Sequence, residues 1–239
     1  MNNLPKEGRV HSIQTLGTLD GPGVRFVIFM QGCNLRCGCC HNPDTWCFDG
    51  GKIYTADELL KKIMNYRTYF GKDGGVTVSG GEPLLQAEFV RDLFILCHES
   101  GINTCLDTSG SILNDGVKEL LSITDRVLLD IKYSTDELYK KYVGCSVVGP
   151  LAFLEYLNEK QIPTTIRQVI IPSLNDNEES ISHLNSLSEA YSCIDKIELL
   201  PFKKICKVKY DNMGIPFDFD RFDSPSKDLM DSLNKMLKI

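Results

Sequence analysis

No apolar run in these 239 residues approaches the ~20 consecutive positions needed to cross a bilayer. Met1–Gly8 carries no apolar segment of the kind that heads a secretory leader, so the reading is a cytoplasmic protein with no membrane partner. Positive charge is also scarce: the formal net charge is -6 and the isoelectric point about 5.3. That balance argues against a nucleic-acid partner, which wants a basic face. The one dense cationic run, Lys203–Lys209, reads as a solvated loop. There is no Pro, Gly and Ser linker, no low-complexity segment and no repeat of fixed period, which excludes strung domains and solenoids.

What is present is ordinary for a globular chain, with 42% hydrophobic and 24% charged residues. The length suits one large α/β domain or two small ones. Short β-branched runs alternate with amphipathic windows. Val24–Met30 reads as a buried strand, and Val76–Val78, Asn103–Leu106, Arg126–Ile131, Thr164–Ile171 and Lys196–Leu200 as five more. Between them lie helical windows. Thr55 with Glu58 is a capping box opening a helix through about Tyr69, and Gln86–Ser100 carries Val90, Leu93, Phe94 and Cys97 on one face, with Gly101 ending it. Further windows are Val117–Leu121, Asp136–Tyr142, Leu151–Lys160, about Asn177–Tyr191 and about Ser226–Leu237. His98 and His183 fall in helical windows and read as solvated.

Six strands alternating with helices predict an α/β fold on a parallel sheet, either doubly wound or a partial barrel. Polar residues gather at the strand ends: cysteines after the first, Ser79–Glu82 after the second, Asp107 and Thr108 after the third, Asp130 and Lys132 at the fourth. Arg167 lies in the fifth, and Lys203 follows the sixth. One site drawing on every strand favours the partial (β/α)6 TIM-like barrel, where strand ends converge on one face.

Ten cysteines are many for a reducing compartment, and five of them fall between Cys33 and Cys47. Such clustering points to metal and away from a disulfide framework. Cys33, Cys37 and Cys40, four and then three positions apart, can ligate three corners of an iron–sulfur cube and leave one iron open. The structural alternative is zinc, with His41, Cys39 or Cys47 as fourth ligand. Zinc sites usually pair C-x2-C with a second ligand pair a dozen or more residues later, and none stands at that distance.

The C-x3-C-x2-C spacing resembles the signature of the radical S-adenosylmethionine (SAM) superfamily, and Gly80-Gly81-Glu82 resembles its next hallmark. Gly17–Arg25, with Asp20-Gly21-Pro22-Gly23 at its centre, is similar to the segment marking the glycyl-radical-enzyme activating enzymes. Matches continue through Cys40–Trp46, Gln86–Asp92, Thr104–Thr108 and Lys196–Pro201. Fewer than forty residues separate Cys40 from Ser79, so the chain resembles the compact branch that lacks an insert for extra clusters. It is most like the branch whose partner is pyruvate formate-lyase. An activator of another glycyl radical enzyme, or a radical SAM enzyme acting on a small molecule, is the alternative.

That resemblance implies a single domain over residues 1–239, with a core of about 20–205 and a helical extension of about 206–239. It implies a [4Fe–4S] cluster on Cys33, Cys37 and Cys40, and S-adenosyl-L-methionine cleaved to a 5′-deoxyadenosyl radical that takes hydrogen from a backbone glycine of the partner. Glu82, with Ser79, Gly80 and Gly81, would hold the methionine ammonium. Asp130 and Lys132 would contact ribose or carboxylate, and Arg167 the carboxylate and substrate. Asp107, Thr108 and Asp130 would bind a monovalent cation, Na+ or K+, and Asp20 would face the glycyl loop. His41 would shape the SAM pocket. The electron donor would be a flavodoxin or ferredoxin, and the chain a monomer. The chain departs from the family pattern at two positions: Cys39 stands where an aromatic usually precedes the third ligand, and Lys203 where relatives carry histidine.

Overall fold

The computed structural model describes residues 6–239, so Met1–Pro5, part of the segment read as free of a leader, lie outside the described residues. The chain forms two compact units. One holds the described residues up to Asn34 together with Thr45–Thr108 and Ile112–Leu128; the other holds Leu35–Asp44, Ser109–Ser111 and Leu129–Ile239.

In the first unit, strands β1 (Glu7–Gly17), β2 (Arg25–Met30), β3 (Lys52–Thr55), β4 (Gly75–Gly80) and β5 (Asn103–Thr108) lie in the order β3-β1-β2-β4-β5. β2, β4 and β5 pair in parallel, and β1 runs antiparallel to both β2 and β3. The parallel strands are buried along most of their length, which is why Phe26–Ile28 and Val76–Val78 read as unbroken cores.

Helix α1 (Ala56–Met64) opens on the expected capping box: the Thr55 hydroxyl accepts from the Glu58 N–H, and the Glu58 carboxylate accepts from the Thr55 N–H. Helix α2 (Ala87–Glu99) buries Phe89, Val90, Leu93, Phe94 and Cys97. Each large apolar side chain so buried stabilises the unit by about 1.5–3 kcal/mol. The Asn114 side chain caps α3 (Asp115–Leu121).

Strand β6 (Arg126–Asp130) divides between the units after Leu128. In the second unit, β7 (Thr164–Ile170) and β8 (Ile194–Pro201) pair in parallel, and the Ile131 N–H donates to the Arg167 carbonyl at 3.0 Å. Helices α4 (Asp136–Tyr142), α5 (Val148–Glu159), α6 (Glu178–Ala190), α7 (Lys207–Met213) and α8 (Lys227–Lys235) complete it.

The six expected strands are β2 and β4 to β8, alternating with helices as the α/β reading required. Three elements were not expected. β1 is half exposed and mixes Arg9, His11 and Gln14 with its apolar residues, so its alternation is weak; β3 has only four residues, the first two exposed. α7 begins inside the run read as a solvated loop and continues beyond it to Met213. The helix expected to reach Tyr69 stops at Met64, and Arg67–Tyr69 form a separate 3-10 turn. Among the described residues, no helix is long and apolar enough to cross a membrane.

Candidate active site

In the first unit, the exits of β2 and β4 are locked together by their backbones. Gly81 N–H donates to the Met30 carbonyl at 3.0 Å, and Glu82 N–H to the Gly32 carbonyl at 2.9 Å. A Cβ at Gly80, whose φ is +115°, would lie 2.2 Å from the Met30 nitrogen, and one at Gly81 would lie 2.1 Å from the Gly32 oxygen. The glycines are therefore required by this turn's own packing. Gln86 tightens the same exit: its amide donates to the Arg9 and Gln31 carbonyls, and its oxygen accepts from the Arg9 N–H. In the sequence Gln86 reads as the start of a helix and of the matching run Gln86–Asp92, with no contact assigned to it.

That turn fixes Glu82, which is 1% exposed. Its Oε1 accepts from the Thr108 hydroxyl at 2.6 Å and from the Leu84 N–H at 3.1 Å. Alongside, the Ser79 hydroxyl donates to Asp107 Oδ2 at 2.7 Å. Four residues predicted from strand ends, Ser79, Glu82, Asp107 and Thr108, thus form two buried hydroxyl–carboxylate pairs. Hydroxyl donors order a carboxylate without cancelling its charge.

Asp20 is anchored through its backbone, with its carbonyl accepting from the Thr77 hydroxyl at 2.6 Å. Thr77 also accepts from Nε of Arg25, a fully buried arginine that reaches Asn103 Oδ1 at 2.8 Å and the Val76 carbonyl at 2.5 Å. Burial lowers the Arg25 pKa, and these oxygens solvate the charge in place of water. Arg25 and Thr77 have no role in the sequence reading. A single arginine inside an apolar strand was the signal for one of them.

In the second unit, three predicted residues meet at the end of β6. Lys132 Nζ lies 2.8 Å from Asp130 Oδ2, and Arg167 Nε lies 3.7 Å from Asp130 Oδ1. Against the desolvation that burial imposes, Lys132 and Arg167 hold the Asp130 carboxyl below its ordinary value. Asp130 in turn, against the same desolvation, holds Lys132 well above its own. Two cations on one carboxylate leave an excess of positive charge.

The backbone beneath this group is tied by residues the sequence did not single out. Lys132 N–H donates to the Tyr139 hydroxyl at 2.9 Å, the Gln168 amide to the Ile131 carbonyl at 3.0 Å, and the Asn175 amide to the Val169 carbonyl at 2.8 Å. Gln168 and Asn175 are nearly fully buried. Nothing in local sequence marks them, because each serves backbone groups outside any helix or hairpin signal.

Cys33, Cys37, Cys39 and Cys40 are all partly exposed, whereas Cys97, Cys105, Cys193 and Cys206 are buried. Burial pushes the Cys39 thiol up to about 12, with Lys132 opposing. The His41 pKa is lowered, first by burial, and its Nε2 meets the Lys203 carbonyl at 3.0 Å. A carbonyl only accepts, so Nε2 carries the proton. Lys203 reaches His41 through its backbone, while its side chain is exposed.

The solvated-loop reading of Lys203–Lys209 is corrected. Lys204 and Lys207 both pair with Asp220, and Lys209 donates to Asn42 Oδ1 at 2.9 Å and Asp44 Oδ1 at 3.0 Å. The two histidines read as solvated are not simply so. His98 Nε2 is 2.9 Å from Asp125 Oδ2, and His183 Nε2 is buried without a hydrogen-bond partner.

The model of the radical SAM superfamily matches residues 27–184. The pyruvate formate-lyase 1-activating enzyme of Escherichia coli K12 is 42% identical over 234 residues, covering 97% of this chain and 95% of the relative. The pyruvate formate-lyase-activating enzyme of Clostridium pasteurianum is 43% identical over 232 residues, with 97% of both chains covered. Among solved structures, a domain of a pyruvate-formate lyase-activating enzyme from Bacteroides vulgatus matches with a TM-score of 0.57 at 24% identity, covering 69% of this chain and 92% of that one. At that identity the likeness speaks to fold alone.

Proposed function

Because this chain belongs to the radical SAM superfamily and, within it, to the family of pyruvate formate-lyase-activating enzymes, we propose that it installs the glycyl radical on a pyruvate formate-lyase. The observation that carries the proposal is the thiol triplet. Cys33, Cys37 and Cys40 are partly exposed within one short segment, while four other cysteines of the chain are buried as core residues. Three soft ligands from the protein, with no fourth at the same spacing, fit a [4Fe–4S] cluster that keeps one iron for substrate. Held by Cys33, Cys37 and Cys40, such a cluster would supply, when reduced, the electron for cleavage of SAM to methionine and a 5′-deoxyadenosyl radical able to take a hydrogen atom from the partner's glycine.

The chain's own residues do the rest. A buried carboxylate such as Glu82, held in place by Thr108 and the Leu84 N–H, is suited to receive the methionine ammonium, with Ser79 and the Gly80–Gly81 backbone shaping its approach. The Lys132, Asp130 and Arg167 group, with its excess of positive charge, is suited to a carboxylate, and Asp130 retains an acceptor for a ribose hydroxyl. His41, neutral and fixed on the Lys203 carbonyl, lines the SAM pocket without adding charge. Lys203 would contribute its carbonyl where relatives carry a histidine side chain. Asp20, on its anchored loop, faces the arriving glycine segment.

A monovalent cation, Na+ or K+, is a further cofactor in this reading, on the oxygen ligands Asp107 and Thr108. The electron donor is a flavodoxin or ferredoxin, the chain acts as a monomer, and the compartment is the cytoplasm. The test is electron paramagnetic resonance (EPR) of reconstituted, reduced protein mixed anaerobically with SAM and a pyruvate formate-lyase. A glycyl-radical doublet that requires SAM is the expected result. A reduced-cluster signal with no doublet would send the assignment to another partner, and zinc in place of iron and sulfide would end it.

A further inference from the structure

The second unit contains a set of contacts that the proposed chemistry has not used. The segment from Cys37 to Asp44, which carries two of the three triplet cysteines, is gripped by chain from beyond β8. Tyr210, on α7 and 3% exposed, donates its phenol to the Cys40 carbonyl at 3.1 Å. Its neighbour Lys209 donates to Asn42 Oδ1 and Asp44 Oδ1 at 2.9 and 3.0 Å. His41 is fixed on the Lys203 carbonyl. At the other end of the segment, Gly38 N–H donates to the Tyr142 carbonyl at 2.8 Å, and a Cβ on Gly38 would lie 1.9 Å from the Phe219 ring. Phe219 packs edge-on against Tyr142, with ring centroids 5.5 Å apart.

The grip is itself braced. The Tyr210 ring lies 4.6 Å from that of Phe217, and Lys204 and Lys207 tie the approach to α7 to Asp220. Consecutive residues on a helix point about 100° apart, so Lys209 and Tyr210 can reach different parts of the segment from one short element. A seven-residue helix does not persist by propensity alone. Its packing on Phe217 and its ties to Asp220 supply the order.

We propose that Tyr210 and Lys209 are positioning residues for the cluster: they fix the Cys40 backbone and the residues behind it so that the third thiolate is held in its ligating pose. The inference rests on the cluster reading above. Residues that orient metal ligands from outside typically alter metal retention 10–100-fold when removed. Tyr210→Phe keeps the ring on Phe217 and deletes only the donor. Lys209→Met keeps most of the stem and deletes the charge.

The experiment measures anaerobic iron release from the reconstituted holoprotein to a ferrous chelator, with the EPR spectrum of the reduced cluster recorded alongside. Tyr210→Phe is expected to release iron roughly tenfold faster than wild type and to shift the cluster's g-values. Lys209→Met should release iron several-fold faster, and Lys209→Arg should restore most of the wild-type rate. Lys238→Met, which removes the distant ion pair with Glu189, should release iron at the wild-type rate. Hydrogen exchange of residues 40–44 in the apoprotein provides a second readout, expected to quicken in both test variants. Wild-type protein that takes up no iron and sulfide would overturn the cluster reading and this inference with it. Loaded variants with wild-type release, g-values and exchange would overturn the inference alone.

Discussion

The two units order a carboxylate in opposite ways, the first on buried side chains and the second on one that is a quarter exposed. In the first, Glu82 and Asp107 are ordered by the hydroxyls of Thr108 and Ser79, neutral donors that leave both negative charges in place. In the second, Asp130 is flanked by Lys132 and Arg167, and the group ends with a net positive charge. The first arrangement suits a cationic group and the second an anionic one. The thiols divide by exposure within each unit: Cys97 and Cys105 in the first and Cys193 and Cys206 in the second are buried, whereas Cys33, Cys37 and Cys40 are partly exposed.

The largest effect should come from the thiols. Cys37→Ala and Cys40→Ala, like Cys33→Ala, are expected to leave protein with no [4Fe–4S] cluster and no SAM cleavage, whereas Cys39→Ala and Cys105→Ala should reconstitute normally. Iron and sulfide content, with cleavage of SAM to 5′-deoxyadenosine, reads both. A Cys39→Ala protein that fails to hold the cluster would place Cys39 among the ligands and break the division between working and packing thiols.

The carboxylates come next. Asp130→Ala strips two part-buried cations of their shared partner, an injury that costs about 3–5 kcal/mol in a fully buried pair; with Asp130 a quarter exposed, about 3 kcal/mol is expected. Ser79→Ala removes one hydroxyl from Asp107 and should cost about 1–2 kcal/mol. Urea unfolding of the apoproteins compares the two. Equal losses would mean that water screens the second group and that the units do not differ electrostatically.

These residues also mark how far the sequence could be read. Strands and helices with their own local signals were legible: the Thr55–Glu58 box, the apolar runs of β2 and β4, and the polar residues at strand ends that became Glu82, Asp107 and Asp130. Residues acting through long-range backbone contacts were not. Tyr210 reaches Cys40 across 170 positions, and Asn175 and Gln168 satisfy carbonyls that have no sequence signature. The charge of Lys209 was visible, but its partners Asn42 and Asp44 lie more than 160 residues away, so the run around it looked like solvated surface. β1 escaped because a half-exposed strand needs only a few apolar positions, and its polar ones hid the period.

The smallest expected effect sharpens the comparison of thiols. Burial pushes both Cys97 and Cys105 up to about 12 from an ordinary value of 9.0, with Arg25 opposing in each case. In the unfolded chain these thiols ionise near their ordinary value, so above it the unfolded state binds fewer protons than the native one. Their contribution to stability is therefore complete below about pH 9 and declines as the pH rises toward 12. The Cys97→Ala, Cys105→Ala double variant loses packing at every pH but should lose less further stability between pH 8.5 and 10.5 than wild type, because two titrating groups are gone. Lysines, tyrosines and Cys39 titrate in both proteins and cancel from the difference. Urea midpoints at those two pH values read the slope. Parallel slopes would mean that the thiolates beside Arg25 are tolerated in the folded state, and that burial alone does not separate the packing cysteines from the partly exposed triplet.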